Sequence, residues 1–173
     1  PASMTGETAE LFGAMTSVWP TTALPLTVWA APFARPGAKD ALIAVALEGQ
    51  RKLAAVARSD GAAQKGGIVS ALVGAFDRDG RVVATREQTV TLSATDEGAS
   101  YELLLSLTVA PGRYEVRASV SDAALALRGS VYTYVEVPDF TEETVWQSDL
   151  VIGVPPSAAA GDAIAFDLSL IHI

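Results

Sequence analysis

Apolar and polar positions alternate strictly through the middle of the chain. Tyr101, Leu103, Leu105, Leu107 and Val109 share one face, Pro111-Gly112 interrupts, and Tyr114, Val116, Ala118 and Val120 resume the pattern. Val131, Thr133, Val135 and Val137 follow. A period of two puts one apolar face of each strand inward. The same reading predicts strands at about 24–34, 40–50, 68–77, 81–93, 99–109, 113–122, 129–138, 147–154 and 163–170. Asp79-Gly80 and Pro111-Gly112 supply turn chemistry where hairpins need it. Eight or nine closely spaced strands without a βαβ rhythm predict an all-β, immunoglobulin- or fibronectin-III-like sandwich.

Two stretches break the strand pattern. SMTGETAELFGAMTSVW reads as a short N-terminal helix. Thr5 is placed to cap it, Glu7 and Glu10 suit the positive end of its dipole, and Leu11, Phe12 and Met15 form its apolar stripe. Pro20 ends it. The expected role is a linker helix packed on the domain edge. The second stretch, Arg51 to Gly67, is polar and rich in Gly and Ala; it reads as a long loop, with a helical turn over Lys52 to Ala57 as the alternative. The predicted organisation is a linker with helix over residues 1–23, a sandwich domain over 24–170, and a separate tail at 171–173.

Tyr114 follows the Pro-Gly corner by two residues and opens an apolar strand. That placement fits the tyrosine corner of immunoglobulin-like sandwiches, in which the ring is buried and the hydroxyl bonds backbone a few residues upstream. The alternative is a tyrosine on the strand's solvent face, since alternation alone does not assign the face.

Composition narrows the chemistry. Half of the residues are hydrophobic but only 7% are aromatic, so the core should be aliphatic. Twelve basic against twenty acidic residues give a net charge of −8, with no Lys/Arg cluster, which argues against nucleic-acid partners. The lack of cysteine removes disulfides, thiolate nucleophiles and Cys-ligated metals. No apolar run reaches the roughly 18 residues of a membrane span. The chain begins at Pro1, not at an initiator Met, and reads as a piece of a longer protein.

The candidate reactive groups each have a plainer reading. Asp77-Arg78-Asp79-Gly80 contains a D-x-D-G fragment found in calcium loops, but strands flank it and Glu87 is the next acid, so a hairpin turn is expected. His172 is the sole histidine, which leaves no His pair for zinc and only a terminal residue for a Ser-His-Asp relay. Asp96-Glu97 and Glu142-Glu143 read as solvated turn acids. Gly66-Gly67 precedes a strand and so is no phosphate cradle. Trp19, Trp29 and Trp146 share no spacing and read as packing residues, although exposed tryptophans on a sandwich would suit a sugar. No catalytic, cofactor-binding or metal-ligating residue is assigned, and no enzymatic activity is expected.

The segment PGRYEVRASVSDAALALRGSVYTYVEVPDF followed by QSDLVIG resembles the C-terminal region of bacterial VWFA-related proteins. In that family a von Willebrand factor A-type domain precedes a sandwich region. The matching positions are Pro111, Gly112 and Tyr114 at the turn, Asp122 at a strand end, and Gly129, Ser130 and Val131 in the next strand. Val137, Pro138 and Phe140 match the exit, and Ser148, Leu150 and Val151 a further strand. The opening LPLTVWAAPF and the strand GAFDRDGRVV also fit, so the similarity covers about Leu24 to Gly153. It implies an exported, extracellular or periplasmic bacterial protein with a role in adhesion or assembly. Its partner would be another protein or an upstream A-type domain of the same chain. The A-type metal motif D-x-S-x-S is absent, and Ser119-Val120-Ser121-Asp122 has the wrong order for it. The closing residues Leu170 to Ile173 depart from the family and resemble translated sequencing-adapter read-through, so nothing functional is assigned to His172. The resulting expectation is a non-catalytic interaction or spacer module. The alternatives are a carbohydrate-binding module and, third, a carboxylate-pair hydrolase, which requires two acids in one cleft.

Overall fold

The computed structural model describes residues 6–50, 67–92 and 100–142. Within them lie one helix, α1 (Gly6–Thr16), and seven strands: β1 (Leu26–Phe33), β2 (Ala41–Gln50), β3 (Ile68–Phe76), β4 (Val82–Thr91), β5 (Ser100–Val109), β6 (Gly112–Asp122) and β7 (Leu127–Val137). The strands form two antiparallel sheets, β1-β2-β5 and β4-β3-β6-β7. The chain is therefore the expected mostly-β sandwich with a short N-terminal helix. The predicted strands at 147–154 and 163–170, Thr5, the Arg51 to Gly66 stretch, Asp96-Glu97, Glu143, Trp146 and His172 lie outside the described residues.

Alternation builds the core as the sequence predicts. Leu103, Leu105, Leu107 and Val109 of β5 and Ile43, Val45 and Leu47 of β2, from one sheet, share a single buried cluster with Val116, Ala118 and Val120 of β6 and Val69, Ala71 and Val73 of β3, from the other. All are buried, and all but the alanines are branched aliphatics, which interdigitate between two pleated sheets. Tyr101 is buried over Gly49, its cross-strand partner in β2.

The helix is not at the domain edge. It lies on the outer face of the four-stranded sheet, where Leu11 and Met15 are buried against Leu72 and Phe76 of β3, with Phe12 alongside. The outward residues of β3 seat it there. Leu72 and Phe76 are large and apolar, and Gly74 between them leaves room for the Met15 thioether. After α1 the chain turns back along β7. The Ser130 amide donates to the Thr21 carbonyl, the Thr21 amide donates to the Ser130 hydroxyl oxygen, both at 2.8 Å, and the Leu24 amide donates to the Arg128 carbonyl at 3.0 Å.

Candidate functional site

The Asp77 to Gly80 segment is a hairpin turn between β3 and β4. The Gly80 amide donates to the Asp77 carbonyl at 2.9 Å, and Gly80 takes φ +73°, a region open to glycine. One carboxylate oxygen of Asp77 accepts from the amides of Asp79 and Arg81, both at 2.9 Å. That oxygen thus holds the turn. Among the described residues no three His, Asp or Glu side chains stand together as a metal-ligating group.

Tyr114 is buried at the start of β6, and its hydroxyl donates to the Ala110 carbonyl at 2.8 Å. This is the corner geometry, and the solvent-face alternative is set aside. Burial, with lesser contributions from the charges of Asp77 and Asp40, raises its pKa above 10.0. At the exit of β7, Asp139 is held below its usual range by the hydroxyl and amide of Thr141, with a smaller contribution from Lys39.

The densest polar cluster was not singled out in the sequence. Arg117 of β6 pairs with Glu115 at 2.7 Å, and both side chains are about four-fifths buried. Its guanidinium lies 4.8 Å from the ring centroids of both Phe76 and Tyr132. It also donates to the Met15 carbonyl at 3.4 Å. Ser119 donates to the Leu11 carbonyl at 2.8 Å, and the Tyr132 hydroxyl lies 2.9 Å from the Ser17 carbonyl and 3.2 Å from that of Ala14. The last carbonyls of a helix lack intrahelical donors and carry its negative partial charge. Here Arg117 and Tyr132 supply the donors and a cation, so they form a socket for the helix C-terminus, while Ser119 holds the helix at its middle. In sequence these residues occupy the outward positions of strands and resemble a solvated face; only the position of α1 converts them into a buried set.

Near the N-terminal half of α1, Glu10 pairs with Arg128, and two shallow clefts of about 360 and 460 Å³ open on either side of that pair. Ala126 borders both and sits at φ +52°, the one described non-glycine residue with positive φ. Asp122 at the cleft floor is fully buried, and its carboxylate accepts from the amides of Ala124 and Leu125.

Trp19 and Trp29 do not pack as expected. Trp19 is 79% exposed and Trp29 38% exposed, while Tyr134 on β7 is 81% exposed. Trp19 lies between Ser17, which meets Tyr132, and Thr21, which pairs with Ser130; Tyr134 is two residues beyond Tyr132 on the same face of β7.

The outward positions of the three-stranded sheet are mostly apolar, and Ala31 and Ala44 among them are buried. Its cross-strand rows are Trp29–Ala46–Leu104, Ala31–Ala44–Ser106 and Phe33–Leu42–Thr108, with Thr27–Glu48–Glu102 at one end. A sequence signal marks it: Ala41 to Leu47 is apolar at every position, so β2 has two apolar faces.

No family profile and no curated protein matches the chain. Solved structures similar to it include a glycosyl hydrolase family 2 member from Bacteroides cellulosilyticus, at 19% identity and TM-score 0.47, covering 68% of this chain and 16% of that one. A β-glucuronidase from Bacteroides uniformis aligns at 12% identity and TM-score 0.46, covering 65% and 13%. The putative ApaA protein from Bordetella pertussis aligns at 13% identity and TM-score 0.39, covering 66% and 95%. The chain thus spans less than a fifth of the length of the first two, and likenesses at this level carry no argument about activity.

Proposed function

We propose that this chain is a non-catalytic β-sandwich module, for interaction or spacing, of an exported bacterial VWFA-related protein. The observation that carries the non-catalytic reading is the use made of its polar side chains. Asp77 and Asp122 cap backbone amides, Arg117 and Tyr132 hold the helix end, Ser119 holds the helix at its middle, and Tyr114 ties the corner. The family reading rests on the sequence resemblance, and it is supported by Pro111, Gly112 and Tyr114 standing together at one structural corner. Its partner is another protein or an A-type domain upstream in the same polypeptide. The complete coding sequence tests the family reading. An upstream A-type domain with its D-x-S-x-S motif, behind an export signal, is the expected finding; a parent lacking both overturns it.

A carbohydrate-binding module is the second reading, favoured by the exposure of Trp19 and Tyr134 beside the same strand. Affinity electrophoresis in gels cast with soluble polysaccharides tests it. Retardation lost in both Trp19→Ala and Tyr134→Ala would favour it over the protein-partner reading; unretarded migration removes it.

A further inference from the structure

We propose that α1 is an exchangeable element, and that two copies of this chain pair by each seating its helix on the other's four-stranded sheet, about a hinge at Val18 to Pro20. The inference concerns pairing of the chain with itself and stands apart from the family reading.

The first argument is the fit of the seat to this one helix. Eleven residues are too few for a stable isolated helix in water, so α1 holds its shape only on a sheet. The seat is specific. Gly74 admits the Met15 thioether, and Leu72 and Phe76 pack with Leu11 and Met15. Ser119 and Arg117 donate to the carbonyls of Leu11 and Met15, and Arg128 pairs with Glu10. Yet the buried residues of the helix are only Leu11 and Met15. Two of its ties, Glu10 to Arg128 and Thr8 to Glu87, are exposed, where such contacts contribute little. Release of α1 therefore costs less than unfolding the sandwich. The groove it leaves matches no occupant better than the same helix from a second copy.

The second argument is the hinge. The Tyr132 hydroxyl holds the Ser17 carbonyl, and Ser130 holds Thr21, both from β7. Between these anchors Val18, Trp19 and Pro20 are exposed, Val18 and Trp19 by about four-fifths. The backbone bends over Ser17 to Trp19, which returns the helix to its own sheet. A residue before proline favours extended backbone, so Trp19-Pro20 favours the open form. Short hinges that resist bending back are the ones that exchange. Extended, the run from Ser17 to Thr21 spans about 13 Å. Two such runs side by side cover the Val18 and Trp19 side chains that a single chain leaves in water. Exchange remakes every helix contact, so what opposes pairing is the entropy of association and a net charge of −8 on each chain. Salt screens the charge.

The test exploits the lack of cysteine. Chains carrying Glu10→Cys alone and Arg128→Cys alone are mixed, refolded together from urea at high concentration and treated with a short bismaleimide. The expected result is a covalent heterodimer on denaturing gels, increasing with protein concentration and with salt, and little of either homodimer. Thr8→Cys with Glu87→Cys repeats the experiment with the Glu10–Arg128 pair intact. Sedimentation equilibrium of the cysteine-free chain, refolded in the same way, should show a monomer–dimer equilibrium, which Trp19→Ser weakens about tenfold. A chain that stays monomeric at the highest concentration overturns the proposal. So does a dimer that yields no heterodimer with either cysteine pair, because it associates through an unexchanged surface. A dimer of unchanged affinity in Trp19→Ser overturns the assignment of the hinge.

Discussion

The hydroxyl of Tyr114 donates a hydrogen bond to the carbonyl of Ala110, four residues upstream, at 2.8 Å. The bond crosses the corner between β5 and β6, where Gly112 takes φ +156° and a Cβ in its place would come within 3.3 Å of the Tyr114 hydroxyl. Tyr114→Phe keeps the ring and strands the carbonyl, at an expected cost of about 1–3 kcal/mol. Tyr114→Ala also leaves a cavity and should cost about 3–5 kcal/mol. Because the folded-state pKa lies above 10.0, the contribution of this hydroxyl is fully present below pH 10.0 and is lost as pH rises through the folded value. Urea melts of the parent and Tyr114→Phe on both sides of pH 10.0 check both points: the stability gap should shrink on the alkaline side.

The Asp77 carboxylate accepts from the backbone amides of Asp79 and Arg81. Asp77→Ala should destabilise by about 1–2 kcal/mol, and added calcium should leave the melting temperature of the parent unchanged. A calcium-dependent rise of the kind that binding to the folded state produces would show that the turn is a site.

Ala126 adopts a left-handed conformation in the β6–β7 connection. An L-residue with a Cβ pays about 1–2 kcal/mol there, partly offset by the greater unfolded-state entropy of glycine. Ala126→Gly should therefore stabilise by about 0.5–1 kcal/mol in a denaturant melt.

A Cβ at Gly129 would overlap the carbonyl oxygen of Leu24. Since the obstacle is backbone, Gly129→Ala should cost about 2–4 kcal/mol. Amide exchange should show the damage locally, with the Leu24 amide, bonded to the Arg128 carbonyl, losing protection first.

The strands and the corner were legible because period-two alternation and turn chemistry are local signals. The alternation of β5 and β6 reads directly as their buried faces, and Pro111, Gly112 and Tyr114 lie within four residues of one another. The seat of α1 was not legible, because its stripe of Leu11, Phe12 and Met15 fits an edge or a face equally well. What selects the face is Leu72, Gly74 and Phe76, some sixty residues away. For the same reason Arg117, Ser119 and Tyr132 were not singled out, since a strand's outward side is polar whether it meets water or a helix. Trp19 was expected to pack and does not; nothing in its local pattern distinguishes the two outcomes.

Arg117 is where a structural and a chemical role for polar side chains separate most sharply. It is a largely buried cation, paired with Glu115 and held between two rings, and a group of that kind would also suit an anion site. The account gives it to the C-terminus of α1. Arg117→Met retains the apolar stem between Phe76 and Tyr132 and removes the charge, the bond to the Met15 carbonyl and the partner of Glu115. The direct measurement is a urea melt of this variant with amide exchange read over α1. The account predicts a loss of about 1–3 kcal/mol and faster exchange in the last turn of the helix. A variant as stable as the parent, with α1 equally protected, would contradict it and would free Arg117 for a role in recognition.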